Sequence, residues 1–73
     1  MNELLNTQLG EILRNLRMKR GLTVREVAAR LHKSPSAISA HENGKVSIYI
    51  EQLIEYCHMY GATPSEVLKM LKF

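Results

Sequence analysis

The side chains best suited to chemistry in this sequence are basic, and most of them lie in one segment. Between residues 14 and 45, eight Lys and Arg side chains are opposed only by Glu26 and Glu42, a net charge of +6. The rest of the chain holds two lysines and five glutamates, a net charge of −3. Clustered cations of this kind favour a polyanion such as nucleic acid. Solvated helix faces whose charges happen to cluster are the alternative, and charge alone gives the two interpretations similar weight.

Residues that could act as nucleophiles, general acids or bases, or metal ligands lack the necessary spacing. Cys57 and His58 are adjacent, so on a helix their side chains point about 100° apart, a poor geometry for a thiolate–imidazole pair. Cys57 also lies on an apolar stripe and is expected to be a small core residue. The three histidines have no metal-site spacing. His41 is expected to pack partly inward, with pH sensing as the alternative. We predict no enzyme, no metal and no other cofactor.

Length and composition limit the choice of fold. The chain has 73 residues, of which 45% are hydrophobic and 23% charged, with a formal net charge of +3. We expect one domain over residues 1–73, because a barrel or a doubly wound sheet needs a longer chain. A single cysteine excludes an internal disulfide framework and suits a reducing cytosol. No signal peptide and no apolar run of the ~18 residues that span a membrane are visible, so a cytoplasmic location is expected.

Apolar periodicity and capping residues predict the first two helices. The first helix has an apolar stripe at i, i+3, i+4 and i+7 spacing, formed by Leu9, Ile12, Leu13 and Leu16. Gly21 should end this helix. Thr23 and Glu26 have capping-box spacing, so the second helix should begin at Val24 and end near His32.

The same signals predict three more helices. Ser34 and Pro35 supply an N-cap and a proline at the first helical position, and the third helix should run to about Asn43. Ser47 is expected to cap the fourth helix, and residues 63–66 have the capping sequence of a fifth. The inward residues of these last two helices are predicted to be Ile50, Leu53, Ile54, Cys57, Val67, Leu68 and Leu71. The pattern predicts an all-α, five-helix bundle.

A short connection joins the second and third helices, which lie within about residues 23–44. This arrangement is typical of a helix-turn-helix, whose second helix enters the DNA major groove. Here the sequence resembles the XRE (Cro/repressor-like) helix-turn-helix regulators of bacteria and phages. The resemblance covers roughly residues 9–71, in the segments LGEILRNLRMKRGLT, REVAARL, ISAHENGK and LIEYCHMYGATPSEVL. It implies a compact bundle of the repressor-like type and double-stranded DNA as the partner.

The resemblance also implies roles for individual residues. Arg17 and Glu42 look like the family's arginine–glutamate pair, which ties the first helix to the end of the third. Two unrelated surface charges are the alternative. The helix caps and the turn after the recognition helix would face the DNA backbone. The expected phosphate contacts are Thr23, Arg25, Lys33, Ser34, Asn43 and Lys45.

The base-facing positions depart from the family pattern. Where the family often has glutamine or arginine, the outward residues of the third helix are Pro35, Ser36, Ser39 and Ala40. None of these side chains can make the bidentate contacts that best distinguish guanine or adenine. We favour a helix that sits deep in the groove and selects by methyl contacts and DNA shape. The alternative is a helix that no longer reads DNA.

The predicted function is therefore sequence-specific DNA binding by a transcription regulator, a dimeric repressor or controller on a pseudo-palindromic operator. A protein-interaction module, such as an antitoxin or anti-regulator with a weakened recognition helix, is the alternative. We expect a homodimer through the fourth and fifth helices, about residues 47–72. The candidate interface residues are Tyr49, Tyr56, Met70 and Phe73, which could instead complete the core or be merely exposed.

Overall fold

Five α-helices account for most of residues 3–72, the part of the chain that the computed structural model describes. In chain order they are α1 (Glu3–Lys19), α2 (Val24–Leu31), α3 (Pro35–Glu42), α4 (Ile50–Tyr60) and α5 (Pro64–Met70). No strand occurs between residues 3 and 72, and the all-α fold predicted from the sequence is confirmed. No helix in this range is long and apolar enough to cross a membrane.

The core forms where apolar residues from all five helices meet. Burying each large aliphatic side chain contributes roughly 1.5–3 kcal/mol to folding, so these residues carry most of the stability. Cys57 is among them, as predicted, and burial raises the pKa of its thiol. The buried apolar residues are Leu9, Leu13, Val27, Ala28, Ile38, Ile48, Leu53, Tyr56, Cys57, Tyr60, Val67 and Leu71.

Helix α1 begins at Glu3, one and a half turns before the apolar stripe that predicts it. These extra turns have contacts of their own. Asn6 is buried, and its Nδ2 lies 3.5 Å from Ser47 Oγ. The side-chain amide of Gln8 pairs with the main chain of Lys72, at 2.8 Å to its carbonyl oxygen and 2.7 Å from its N–H. Polar contacts with distant residues therefore hold the start of α1, and apolar periodicity cannot reveal them.

Main chain meets main chain where α1 crosses the end of α3. A Cβ atom added to Gly10 would lie 2.5 Å from the carbonyl oxygens of both His41 and Glu42. Only glycine leaves room for this approach, although a glycine inside a helix costs roughly 1 kcal/mol relative to alanine. Gly10 therefore sets the distance between α1 and the last turn of α3.

Three residues, His32 to Ser34, connect α2 to α3. His32 ends α2 in the left-handed conformation, with φ 56° and ψ 44°, as the short turn requires. Its N–H and that of Lys33 bond to the last carbonyls of α2. Side-chain caps at Thr23 and Ser34 begin the two helices at the predicted positions.

Helix α4 differs from its prediction in both its cap and its inward face. Tyr49, not Ser47, is the N-cap, and its N–H donates to Gln52 Oε1 over 2.8 Å. The inward stripe consists of Leu53, Tyr56, Cys57 and Tyr60, whereas Ile50 and Ile54 are 58% and 51% exposed. Both candidate stripes have helical spacing and share Leu53 and Cys57. The tyrosine stripe is the one that packs inward, where the Tyr56 hydroxyl bonds to His41 and the rings of Tyr56 and Tyr60 stack on each other.

The predicted dimer surface also needs correction. Tyr56 cannot belong to it, because this residue is 1% exposed and its hydroxyl bonds to His41. Leu68, predicted to face inward, is 46% exposed, since Val67 and Leu71 take the inward positions of α5. Tyr49 and Met70 are exposed. Phe73, the fourth candidate, lies outside the described residues.

Candidate nucleic-acid interface

The outward face of α3 consists of small side chains. Ile38, His41 and Glu42 turn inward and are buried, which leaves the opposite side of the helix free for a ligand. On that side Pro35 and Ser36 are exposed and Ser39 and Ala40 are half-buried. The two serine hydroxyls make no side-chain hydrogen bond with residues 3–72, so each can donate to or accept from a base edge.

The start of α2 is capped from both sides. Thr23 Oγ1 accepts the Glu26 N–H over 3.1 Å, and Glu26 Oε1 accepts the Thr23 N–H over 2.9 Å. These hydrogen bonds from Thr23 hold the pKa of the Glu26 carboxyl below its ordinary value. A negative charge therefore lies at this helix end and opposes an incoming phosphate. Arg25, exposed beside it, supplies the opposing positive charge.

The start of α3 is better suited to an anion. Ser34 Oγ accepts the Ala37 N–H over 3.1 Å, and no acidic residue lies in the first turn. Pro35 has no N–H, and the N–H groups of Ala37 and Ile38 bond to Ser34, so among residues 3–72 the Ser36 N–H is left unpaired at the positive end of the helix dipole. Lys33 precedes the cap and Ser36 follows it, so both flank a phosphate placed there. Of the two predicted cap sites, this one has the more favourable electrostatics.

The turn after α3 presents Asn43 and Lys45. Asn43 Oδ1 accepts a hydrogen bond of 2.7 Å from Arg14 Nη2, which orients the side chain and leaves Nδ2, its only donor, for a phosphate. Gly44 follows in the left-handed conformation, with φ 70°, and the Lys45 N–H closes the turn on the Ala40 carbonyl over 3.0 Å. This hydrogen bond holds the main chain of the turn, while the Lys45 side chain is exposed and forms no ion pair with residues 3–72. The contact of Arg14 with Asn43 was not predicted from the sequence, although Arg14 lies one turn before Arg17 on the same face of α1.

Behind the recognition helix, Arg17 and Glu42 form a bidentate ion pair. Arg17 Nε donates to Glu42 Oε2 over 2.7 Å and Nη2 donates to Oε1 over 3.1 Å. A third donor, Arg17 Nη1, bonds to the Leu22 carbonyl over 2.9 Å. The hydrogen bonds that Arg17 donates to Glu42 raise the pKa of Arg17. One guanidinium therefore joins α1, the loop before α2 and the end of α3.

A second buried polar contact joins α3 to α4. His41 Nδ1 lies 2.7 Å from the Tyr56 hydroxyl, and the two rings meet edge to face. Burial, and to a smaller extent the positive charge of Lys33, lowers the pKa of His41. Burial raises the pKa of Tyr56. Both groups are therefore neutral near pH 7, and His41 supports the recognition helix from behind instead of facing a ligand.

Other chemistry finds little support in the described residues. Between residues 3 and 72 no three His, Cys, Asp or Glu side chains gather as a metal site would require. The predicted phosphate contacts, by contrast, lie at the two helix starts and at the turn that ends α3.

Comparisons with known proteins point in the same direction. The clp gene regulator ClgR from Corynebacterium glutamicum has a crystal structure similar to this chain, with 36% sequence identity and a TM-score of 0.85. The similarity covers 90% of this chain and 70% of ClgR. The crystal structure of the DNA-binding domain of BldD has a TM-score of 0.80 over 99% of this chain and 100% of that domain. At 24% identity, BldD shows the fold alone. A comparison with curated protein sequences found no significant match.

A family comparison is more direct. Residues 8–70 match the model of a protein family described as "Helix-turn-helix domain". The match includes all of α2, α3, α4 and α5 and most of α1. The resemblance to helix-turn-helix regulators inferred from the sequence is thereby confirmed. This chain belongs to the helix-turn-helix domain family.

Proposed function

We propose that this chain is a sequence-specific regulator of transcription that binds double-stranded DNA with α3 in the major groove. The observation that carries the proposal is the arrangement around α3. Its outward face is exposed or half-buried, and Arg25 in α2, Lys33 just before α3 and Lys45 just after it form no ion pair with residues 3–72. The carboxylate at its end, Glu42, is neutralised by Arg17. ClgR, a gene regulator, and the DNA-binding domain of BldD have the same architecture.

The small outward side chains determine how such a helix would read DNA. Because the outward side chains of α3 are short, its backbone can approach the floor of the DNA major groove closely. Ser36 and Ser39 would each contribute one short hydrogen bond, and the methyl group of Ala40 would contact a thymine methyl. Single contacts of this kind discriminate weakly, so the shape and deformability of the DNA would contribute much of the preference.

A homodimer is part of the proposal, because one recognition helix covers only a few base pairs. Exposed apolar residues on the last two helices are available for the contact between protomers. On α4 they are Tyr49 (the N-cap), Ile50 and Ile54, and on α5 they are Leu68 and Met70. Two half-sites about 34 Å apart would then form a pseudo-palindromic operator, at which the protein would act as a repressor or controller in the cytoplasm.

Selection from a pool of random duplex DNA, followed by titration against salt, tests the proposal. We expect enrichment of a two-fold symmetric sequence. A dimer with three phosphate contacts per protomer should show log affinity falling against log salt with a slope of about −5. Binding to the enriched duplex should exceed binding to a scrambled one. If the chain binds no duplex even at low salt, a protein-interaction module with the same fold becomes the better interpretation.

A further inference from the structure

Six cations of the basic segment form no ion pair with residues 3–72, and only half of them belong to the predicted DNA interface. Arg14 and Arg17 are engaged by Glu42, while Arg25, Lys33 and Lys45 belong to the interface described above. The three that remain line a cleft elsewhere on the molecule. These are Lys19, Arg20 and Arg30.

The cleft has a volume of about 380 Å³ and lies where three helices end. Lys19 and Arg20 come from the end of α1, Arg30 from the last turn of α2, and Met59 from the last turn of α4. Leu22 and Met59, both half-buried against the core, also line the cleft, but most of its surface is polar. The DNA-facing N–H groups, in contrast, belong to the starts of α2 and α3, and a helix of the length of α2 spans roughly 12 Å.

No acidic side chain in the described residues neutralises the cleft. Lys19, Arg20 and Arg30 form neither an ion pair nor a side-chain hydrogen bond within residues 3–72. Glu26 lies one turn before Arg30. Hydrogen bonds with Thr23 and, to a smaller extent, the positive charge of Arg30 lower the pKa of Glu26, but its carboxylate caps Thr23 and forms no ion pair with Arg30. Complementing the carbonyl ends of the helices explains a cation on each helix. It does not explain why three cations converge on one cleft, where they repel one another.

We propose that this cleft binds an acidic segment of a protein partner, with its carboxylates paired to Lys19, Arg20 and Arg30. The position of the cleft distinguishes this ligand from duplex DNA, because the cleft lies at the ends of α1 and α2, whereas the capped starts of α2 and α3 face the DNA in the proposed function. The proposal goes beyond DNA binding, since it would let the domain hold a second protein while α3 occupies the groove. It stands whether or not α3 reads DNA.

The test uses the full chain labelled with ¹⁵N and a synthetic probe, acetyl-Glu-Glu-Leu-Glu-Glu-amide. Amide shifts should change first at Lys19, Arg20, Leu22, Arg30 and Met59. The double variant K19Q/R30Q should bind the probe about tenfold more weakly. The matched control K69Q/K72Q removes the same charge from exposed lysines on α5 and after it, and should change binding less than about twofold. The control peptide acetyl-Gln-Gln-Leu-Gln-Gln-amide should not bind.

Four results would overturn the proposal. Equal weakening in K19Q/R30Q and K69Q/K72Q would show attraction to net charge alone. Probe shifts centred on Ser36 and Lys45 would place the acidic segment on the DNA face. If K19Q/R30Q lowers affinity for duplex DNA as much as R25Q/K45Q does, the cleft belongs to the DNA footprint. If it abolishes self-association, the occupant is a second copy of the chain. Both altered side chains are exposed, and circular dichroism would verify that the variants fold.

Discussion

Arg17 and Glu42 are joined by two hydrogen bonds, of 2.7 and 3.1 Å, although they lie 25 residues apart in the chain. The side chain of Glu42 is 3% exposed and that of Arg17 is 13% exposed, so water screens the pair little. Because Glu42 is the last residue of α3, the pair fixes the end of the recognition helix against α1.

Breaking this pair should be costly. Glu42→Ala leaves the Arg17 guanidinium buried with only the Leu22 carbonyl as partner, and we expect a loss of about 3 kcal/mol in the free energy of unfolding. Urea denaturation at pH 7 measures this loss in the free energy of unfolding. The double variant R17M/E42L should lose less than Glu42→Ala, because no charge remains buried. A loss below about 1 kcal/mol in Glu42→Ala would mean that water already reaches the pair.

Two stacked tyrosines of α4 should respond oppositely to loss of their hydroxyl groups. The Tyr56 hydroxyl bonds to His41, so Tyr56→Phe should cost about 1 kcal/mol. The Tyr60 hydroxyl is buried without a partner among the described residues, so Tyr60→Phe should be neutral or stabilise by up to about 1 kcal/mol. Thermal unfolding of both variants under one condition provides the comparison. Equal destabilisation by the two changes would contradict the assignment.

His41 should make stability depend on pH. Its pKa is lowered in the folded state, so the unfolded chain takes up a proton near pH 6.5 that the folded chain resists. Stability should therefore be full above about pH 7 and fall as the pH drops below 6.5, towards the lowered pKa. The slope can reach about 1.4 kcal/mol per pH unit for one proton. Urea unfolding between pH 7.5 and 5.5 measures this slope.

Two matched histidine variants test whether His41 causes the dependence of stability on pH. We expect His41→Gln to flatten it, at some cost in stability because Tyr56 loses its partner. His58→Gln changes an exposed histidine of α4 and should leave the slope as it is. The reverse pattern would assign the pH dependence to another group.

Phosphate and base contacts should separate in DNA binding. Lys45→Ala should weaken binding to every duplex by about three- to tenfold and reduce the salt slope by about one per protomer. Ser36→Ala should leave the salt slope unchanged and alter the preference among sequences. Fluorescence anisotropy with the selected and the scrambled duplex resolves both effects. A uniform loss in Ser36→Ala would place this hydroxyl on a phosphate.

The dimer surface can be tested without disturbing the core. Ile54 is half-exposed, so Ile54→Lys should leave unfolding within about 0.5 kcal/mol while shifting the chain towards monomer. Sedimentation velocity at micromolar concentration measures the shift. Ser65→Lys, at an exposed site on α5, serves as the control. Wild-type chain that sediments only as monomer would contradict the dimer.

The fold followed from the sequence where local chemistry decides it. The caps at Thr23, Ser34 and Thr63 correctly placed the starts of α2, α3 and α5, because each is a contact between near neighbours. On α4, two apolar stripes have the same helical spacing, one that includes Ile50 and Ile54 and one that includes Tyr56 and Tyr60. Only packing against His41 and the other helices buries Tyr56 and exposes Ile54.

The same limit applies to the candidate site. Positions along the chain suggested the phosphate contacts, and capping-box spacing already places the negative charge of Glu26 beside Thr23. The contact of Asn43 with Arg14 has no local signal, because it depends on where a second side chain lies in space. For the same reason, the sequence cannot show that Lys19, Arg20 and Arg30 line a cleft apart from the cations of the predicted DNA interface.

The contact of Gly10 with the last turn of α3 has a consequence for variants of the recognition helix. The orientation of the recognition helix is set by main chain on one side and by Ile38, His41 and Glu42 on the other. None of the outward positions contributes to it. We therefore expect that Ser36, Ser39 and Ala40 can be exchanged one at a time without changing the orientation of α3, so that under the proposed function each exchange would alter the DNA preference and leave the scaffold unchanged.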